Sequence, residues 1–293
     1  MYNKGVILVN PYFFRSDVQY QIDRFTAEFR KFNIDLDVRP CNALISYIDN
    51  GKVVVNDFPY DFVMYLDKDK YQSVQLEKAG YRVFNSSAAI EICDEKMRSY
   101  QVLSNNGINM PTTIPGCLCF TNTDLDMTFM DHIEKLLGYP MVVKESYGSL
   151  GKEVYLVNNR EELLEKAKKL IRKPHLFQKY IASSHGTDIR IIVIGNKACA
   201  WMKRQSEGDF RSNLASGGKA FQIELPQAYR EMAEKITKII NLDFAGIDIM
   251  IGENEEPIFC EVNSNAFITG IEKVTGVNIA AIYCRHIYQE IYG

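Results

Sequence analysis

The chain has 293 residues, 46% of them hydrophobic, and a formal net charge of -3. That is enough for two or three small domains around a shared core, and the dispersed, nearly balanced charge gives no electrostatic footing for nucleic acid or an acidic membrane. No run reaches membrane-spanning length, the apolar stretch Val6 to Val9 is too short for a signal peptide, and the seven scattered cysteines read as buried, reduced thiols of a cytoplasmic protein.

Residues 4–9 predict a first buried strand, and Ile22, Phe25, Phe29 and Phe32 recur at helical spacing through 17–32. A strand at 34–38 follows, then a hairpin over 43–55 turning on Asn50 and Gly51, a strand at 61–66, a helix at 71–79 stopped by Gly80, and a strand at 82–84. This opening α/β unit lacks Gly-x-Gly-x-x-Gly. The turn after its first strand, Asn10-Pro-Tyr-Phe-Phe-Arg15, is too bulky for a pyrophosphate to approach the backbone, so the unit is expected on the substrate side of the site.

Ser86 and Asp94 are expected to cap successive helices, the second over 94–106, with a domain boundary near 93. Lys96 falls in its first turn, where a cation opposes the helix dipole unless an anion is also there; the alternative is a solvated lysine. A strand over 138–144 ends at Lys144, and Gly148, Ser149 and Gly151 then precede a strand at 154–157, so that backbone N–H groups can wrap phosphate oxygens. It is not a Walker A loop, since Ser146 and Glu153 occupy positions that motif reserves for other residues.

Asn158 is expected to cap a helix through 172. The strand-like segment 175–181 ends in Gln178, Lys179, Tyr180 and Ile181, a hinge whose peptide groups suit an adenine edge. Strands at 188–194 and 197–204 carry Arg190 and Arg204, and the loop 208–218 sets Arg211 in flexible backbone; ordinary salt bridging is the other reading of these arginines. Pro226 opens a helix through Ile240, and 278–291 closes the chain as another.

Between those helices, Gly246-Ile-Asp248 and Ile258-Phe-Cys-Glu261-Val-Asn263 read as adjacent strands. Glu261 and Asn263, two apart, share a face, and Asp248 joins them if the strands pair. Two carboxylates and an amide are hard oxygen ligands that suit Mg²⁺ on nucleotide phosphates better than zinc or iron. The alternative is a hairpin whose outward face is merely solvated.

In order, Asp94-Glu-Lys96-Met-Arg-Ser, Gly138-Tyr-Pro-Met-Val-Val-Lys144, Gln178-Lys-Tyr-Ile181, Asp188-Ile-Arg190, Gly208-Asp-Phe-Arg-Ser-Asn213, Ala245-Gly-Ile-Asp248, Glu261-Val-Asn263 and Gly270 to Gly276 resemble the motifs of the ATP-grasp superfamily, and within it those of the RimK-type glutamate ligases. The resemblance implies an α/β and α+β chain: a pre-ATP-grasp domain over 1–93, a central ATP-grasp subdomain over 94–181 and a C-terminal one over 182–293. It implies ATP held between two lobes, with Lys96 and Lys144 on the phosphates, Gly148, Ser149 and Gly151 closing over them, Gln178 to Ile181 at the adenine, Asp188 on the ribose, and Arg211 and Asn213 also among the nucleotide-binding residues. Asp248, Glu261 and Asn263 are implied as ligands of Mg²⁺, for which Mn²⁺ can substitute.

The activity implied is transfer of the γ-phosphate to a carboxylate, followed by attack of an amino acid's amine on the acyl phosphate, with Arg190, Arg204 and Arg211 in catalytic roles. The implied partners are an amino acid and a small-molecule or peptide carboxylate, without nucleic acid or membrane, and a homo-oligomer is compatible with this. Lys179 stands where the family has Glu, Ala215 and Ser216 where RimK has His and Arg, and Asn265-Ala-Phe267 where the family has Ser-Pro-Gly. The last two changes lie where acceptor or amino acid binds, which leaves glutamate open as the amino acid. A peptide macrocyclase and a nucleotide-binding regulatory module without chemistry share most of these residues.

Overall fold

The computed structural model describes residues 3–56, 58–120, 124–148, 151, 153–212 and 218–293. Val6, Ile7 and Leu8 are buried in succession, as a strand covered on both faces requires, and β1 (Asn3–Val9) accordingly lies inside its sheet. The chain continues through α1 (Ser16–Arg30) and β2 (Ile34–Pro40) to a separate hairpin, β3 (Ser46–Asp49) and β4 (Lys52–Val55). Its turn residues Asn50 and Gly51 have φ of 48° and 76°, the left-handed pair a type I′ turn demands. β5 (Phe62–Leu66), α2 (Lys70–Lys78), β6 (Arg82–Phe84) and α3 (Ser87–Asp94) complete the unit, whose parallel sheet has the order β2-β1-β5-β6.

Ser86 caps α3, accepting from Ala89 N, but Asp94 is that helix's last residue and caps nothing. The next helix, α4 (Lys96–Leu103), takes its cap from fifty residues on: the Ser146 carbonyl accepts from Lys96 N at 2.8 Å and Ser146 Oγ from Met97 N at 3.1 Å. A second sheet follows, ordered β7-β10-β8-β9, from β7 (Thr113–Pro115), α5 (Met127–Leu137), β8 (Met141–Glu145), β9 (Val154–Val157), α6 (Arg160–Leu170) and β10 (His175–Lys179). Helices α5 and α6 cover one face of it, with Met130, Ile133, Leu163 and Ala167 against Met141, Val143 and Phe177. The cap of α6 is Asn159 rather than Asn158; its side chain accepts from Glu162 N, while Asn158 N donates to the Glu162 carboxylate.

The third sheet, β13-β12-β11-β14-β15, is antiparallel throughout: β11 (Thr187–Ile194), β12 (Lys197–Gln205), β13 (Lys219–Phe221), β14 (Phe244–Ile251) and β15 (Pro257–Asn263). Alternation decides its two faces. Ile189, Ile191 and Val193 pack with α7 (Gln227–Ile240), whereas Ile192 and Ile194 join Phe25, Phe62 and Phe84 of the first unit and α8 (Thr269–Thr275) and α9 (Ile279–Tyr292). The first and third sheets therefore share one core.

Buried Asn85 fixes their relative position. Its Nδ2 donates to the carbonyls of Phe244 and Ser264, 2.8 Å each, and its Oδ1 accepts from the N–H groups of Asp243 and Phe244. A β-carbon on Gly246 would lie 2.5 Å from that of Ala266, so the turn after β15 can lie over β14 only because residue 246 is glycine. Cys41, Cys93 and Cys284 are buried as expected, but Cys117 is exposed and Cys119, Cys199 and Cys260 are half-buried. No helix among the described residues is long and apolar enough to cross a membrane.

Candidate active site

Lys144 lies on the strand β8 that the second sheet presents to the third, only 6% exposed. Its Nζ donates to Gln178 Oε1 at 2.9 Å, and Gln178 Nε2 donates in turn to Thr113 Oγ1 at 2.7 Å. The predicted hinge residue Gln178 thus spends its side chain on aiming the lysine. No carboxylate pairs with Lys144 among the described residues; burial, then the Cys260–Glu261 and Lys96 charges acting in opposite senses, leave its pKa below the ordinary lysine value. Lys96 is also buried, and its Nζ donates to the Gly148 carbonyl at 2.7 Å.

From the other lobe, Arg211 Nη1 donates to the Gly151 carbonyl at 2.6 Å while Nε and Nη2 hold Asp209. Two cations expected at the nucleotide therefore each hold a glycine carbonyl on either side of the glycine-bearing loop. Ser149 and Asn213 lie outside the described residues, as do Lys152, Ala215 and Ser216.

The opposing wall is built by register. Asp188 faces Arg204 across β11 and β12, and Arg190 faces Asp248 across β11 and β14. Both Asp188 oxygens accept from Arg204, through Nε at 2.7 Å and through Nη2. Arg204 also reaches Asp248 at 3.0 Å, and Arg190 makes a forked contact with Asp248 at 2.7 and 2.6 Å. Burial pushes the Asp248 carboxyl up, but Arg190 and Arg204 together bring it below the usual carboxylate range. The expected ribose partner Asp188 is thus already committed to Arg204, and Arg204 sits as a buried strut between two carboxylates.

Glu261 is the register partner of Asp248 and Asn263 that of Gly246, with a bulge beside Asp248 that leaves Cys260 unpaired. Neither the Glu261 nor the Asn263 side chain makes a hydrogen bond or ion pair among the described residues, so both keep free oxygens next to Asp248. This donor set fits a hard divalent cation, and its Asp248 is shared with two guanidinium groups. No group of three His, Cys, Asp or Glu side chains suited to a metal occurs among the described residues, so the third ligand of such a set is the amide.

One cleft joins these walls: Lys96, Lys144, Asp188, Arg204, Asp248 and Glu261 line it, with Lys179, Tyr180 and Ile181 along one side. A second cavity of about 340 Å³ shares Gly151, Asp248 and Glu261 with it and extends past Arg190 and Asn263 to the first unit. Phe210 lines the first cavity and Asn10 and Asp67 the second, and sequence reasoning singled out none of them as candidates. For Asp67 a signal existed, because ligands of α/β sheets collect at the carboxyl ends of parallel strands, where β1 and β5 end.

The chain superposes on the VanG D-Ala:D-Ser ligase of Enterococcus faecalis with a TM-score of 0.77 at 16% identity, over 98% of this chain and 99% of that one. It shares this fold with the ATP-grasp ligase PsnB, on which it superposes with a TM-score of 0.70 at 16% identity, over 98% of each chain. Residues 93–287 match the RimK-like ATP-grasp domain. A probable alpha-L-glutamate ligase of Maridesulfovibrio salexigens is 38% identical over 209 residues, 70% of this chain and 67% of its own length. The MG012 homolog of Mycoplasma pneumoniae, described as uncharacterized, is 32% identical over 256 residues, 86% of this chain and 87% of its own. The chain belongs to the RimK-like ATP-grasp family.

Proposed function

We propose that the protein uses ATP to activate a carboxylate and joins it to the amine of an amino acid. The observation that carries this reading is the single cleft in which two buried ammonium groups, Lys96 and Lys144, face Asp248 and the uncommitted Glu261, with a second cavity opening on the same two carboxylates. Phosphoryl transfer needs positioned charge more than a nucleophilic side chain, which suits a site of lysines, arginines and oxygen ligands.

A carboxylate oxygen attacks the γ-phosphorus, the bond to the bridging oxygen breaks and ADP leaves; the amine nitrogen then attacks the acyl carbon, and phosphate departs with the original carboxylate oxygen. Lys144, a buried cation with no counter-ion among the described residues, is completed by phosphate oxygens. Lys96 and Arg211 hold the carbonyls of Gly148 and Gly151 and so fix these two glycines beside the phosphate site. Asp248, Glu261 and Asn263 would hold Mg²⁺, which when bound neutralises phosphate charge; Mn²⁺ favours the same donors. Arg190, lining the second cavity, supplies positive charge to the oxyanion that forms on amine attack. Lys179 to Ile181 offer peptide groups to the adenine, and Asp188 braces the floor through Arg204.

The relative named as a glutamate ligase makes glutamate the first amine to assay. Purified protein with Mg·ATP and a panel of amino acids should release ADP and phosphate in an amino-acid-dependent way and yield a product lighter by one water than its parts. Asp248→Ala and Glu261→Ala should each abolish it; undiminished turnover in both variants would defeat the reading.

A further inference from the structure

The cavity of about 340 Å³ contains one carboxylate that the scheme above leaves idle. Asp67 lies just past the end of β5, 8% exposed. Both its oxygens accept from Asn10 Nδ2 at 3.1 Å, and Oδ1 also accepts from Lys68 N at 2.7 Å. The nearby Cys41 thiol is pushed up to about 12, by burial first and then by Asp67, so it too is neutral. The cations of this cavity are engaged elsewhere: Arg190 on Asp248, and Lys68 Nζ on Asp94 at 3.0 Å. Asp67 is therefore a buried carboxyl group whose hydrogen bonds come only from neutral donors among the described residues, an arrangement that a cation would complete.

A metal is a poor match for that cation, because no three His, Cys, Asp or Glu side chains gather to hold one among the described residues and Asn10 already turns its amide N–H toward Asp67. The cavity's apolar surface comes from Phe13, Leu66, Ala266 and Phe267, the last with the Arg15 guanidinium 5.3 Å from its ring centre, set among the polar Asn10, Lys68 and Asn265. Phe267 is one of the residues by which this chain departs from the glutamate-ligase pattern.

Resting on the reading of the chain as a carboxylate–amine ligase, we infer that Asp67 receives the ammonium group of the amine substrate, and that the body of this substrate is apolar. A glutamate would bring two carboxylates into a cavity whose arginine and lysine already have partners. The ammonium sheds one proton to solvent before its nitrogen attacks, so Asp67 acts in docking.

Calorimetric titration of the full chain with Mg²⁺ and AMP-PNP tests this with two probes, L-phenylalanine amide and N-acetyl-L-phenylalanine amide, which differ in the ammonium. The ammonium form should bind about tenfold tighter or more, as loss of a charge-assisted contact implies. L-glutamate should bind more weakly than that form. Asp67→Asn, which keeps an acceptor for Lys68 N, should erase the preference between the two amides. Equal binding of the probes, binding of neither, or a preference that survives Asp67→Asn overturns the assignment. AMP-PNP affinity from the same samples separates the two levels: nucleotide binding without an ammonium preference sinks the role of Asp67 alone, whereas no nucleotide binding sinks the ligase reading and this inference with it.

Discussion

Lys144→Met should give a protein that is at least as stable as the parent and holds nucleotide more weakly. The wild-type ammonium is buried with one neutral acceptor, Gln178 Oε1 at 2.9 Å, and the Tyr100 ring at 5.4 Å. Taking such a charge out of water costs several kcal/mol. Its removal leaves Gln178 Oε1 without a donor, about 1–3 kcal/mol, and forfeits a cation–π contact of about 1–2 kcal/mol. The balance is a change of about 0 to +2 kcal/mol in stability, a rise in melting temperature of up to a few degrees for a chain of this size. Losing a charged phosphate contact should meanwhile weaken a fluorescent ATP analogue about 10- to 100-fold.

The sign of the pH dependence provides a second reading. Because the folded Lys144 titrates below the unfolded value of about 10.4, the unfolded chain binds more protons in that interval and wild-type stability gains with rising pH from this group. The variant lacks that gain, so its advantage should shrink toward about pH 10.4. Thermal melts across that range, run beside the nucleotide titration, check both. A lower melting temperature together with unchanged nucleotide affinity would refute this account of Lys144.

Arg204→Leu leaves Asp188 and Asp248 as buried carboxylates without their shared guanidinium, and should cost about 3–5 kcal/mol, read as a fall in denaturant midpoint; an unmoved midpoint contradicts the strut. Asp248 is held below the usual carboxylate range, so its contribution is full above about pH 4 and is lost as pH falls through the lowered folded value; Asp248→Asn should show a shallower acid branch in urea melts at pH 2–5, and parallel acid branches would count against the pairing. Arg211→Ala releases the Gly151 carbonyl and should lower kcat about 10²- to 10³-fold in the ADP-release assay, a rate within twofold of wild type being the opposing result.

The parts of this molecule that were legible in the sequence are those whose signal is local. Val6 to Leu8 announce a buried strand by composition, Asn50-Gly51 a hairpin by the φ values it permits, and the two-residue spacing of Glu261 and Asn263 a shared face. Helix α5 was equally local: Met130, Ile133 and Leu137 behind the Asp126 cap carry the pattern, and it went unread. What the chain's order could not convey is long-range pairing. Ser146 caps α4 from the far side of a strand it follows. Arg204 meets both Asp188 and Asp248 only because β11 lies between β12 and β14, a neighbour relation the sequence does not state. Asp67 and Asn10 meet because parallel strands β1 and β5 end side by side, which likewise follows from sheet order alone.

An oxygen-labelling experiment goes most directly to the central claim. Amino acids and a tryptic peptide mixture carrying ¹⁸O in their carboxylates are supplied with Mg·ATP, and the released phosphate is weighed by mass spectrometry. Formation of an acyl phosphate predicts ADP and phosphate bearing one ¹⁸O atom for each amide made. Unlabelled phosphate, or AMP carrying the label, would contradict it.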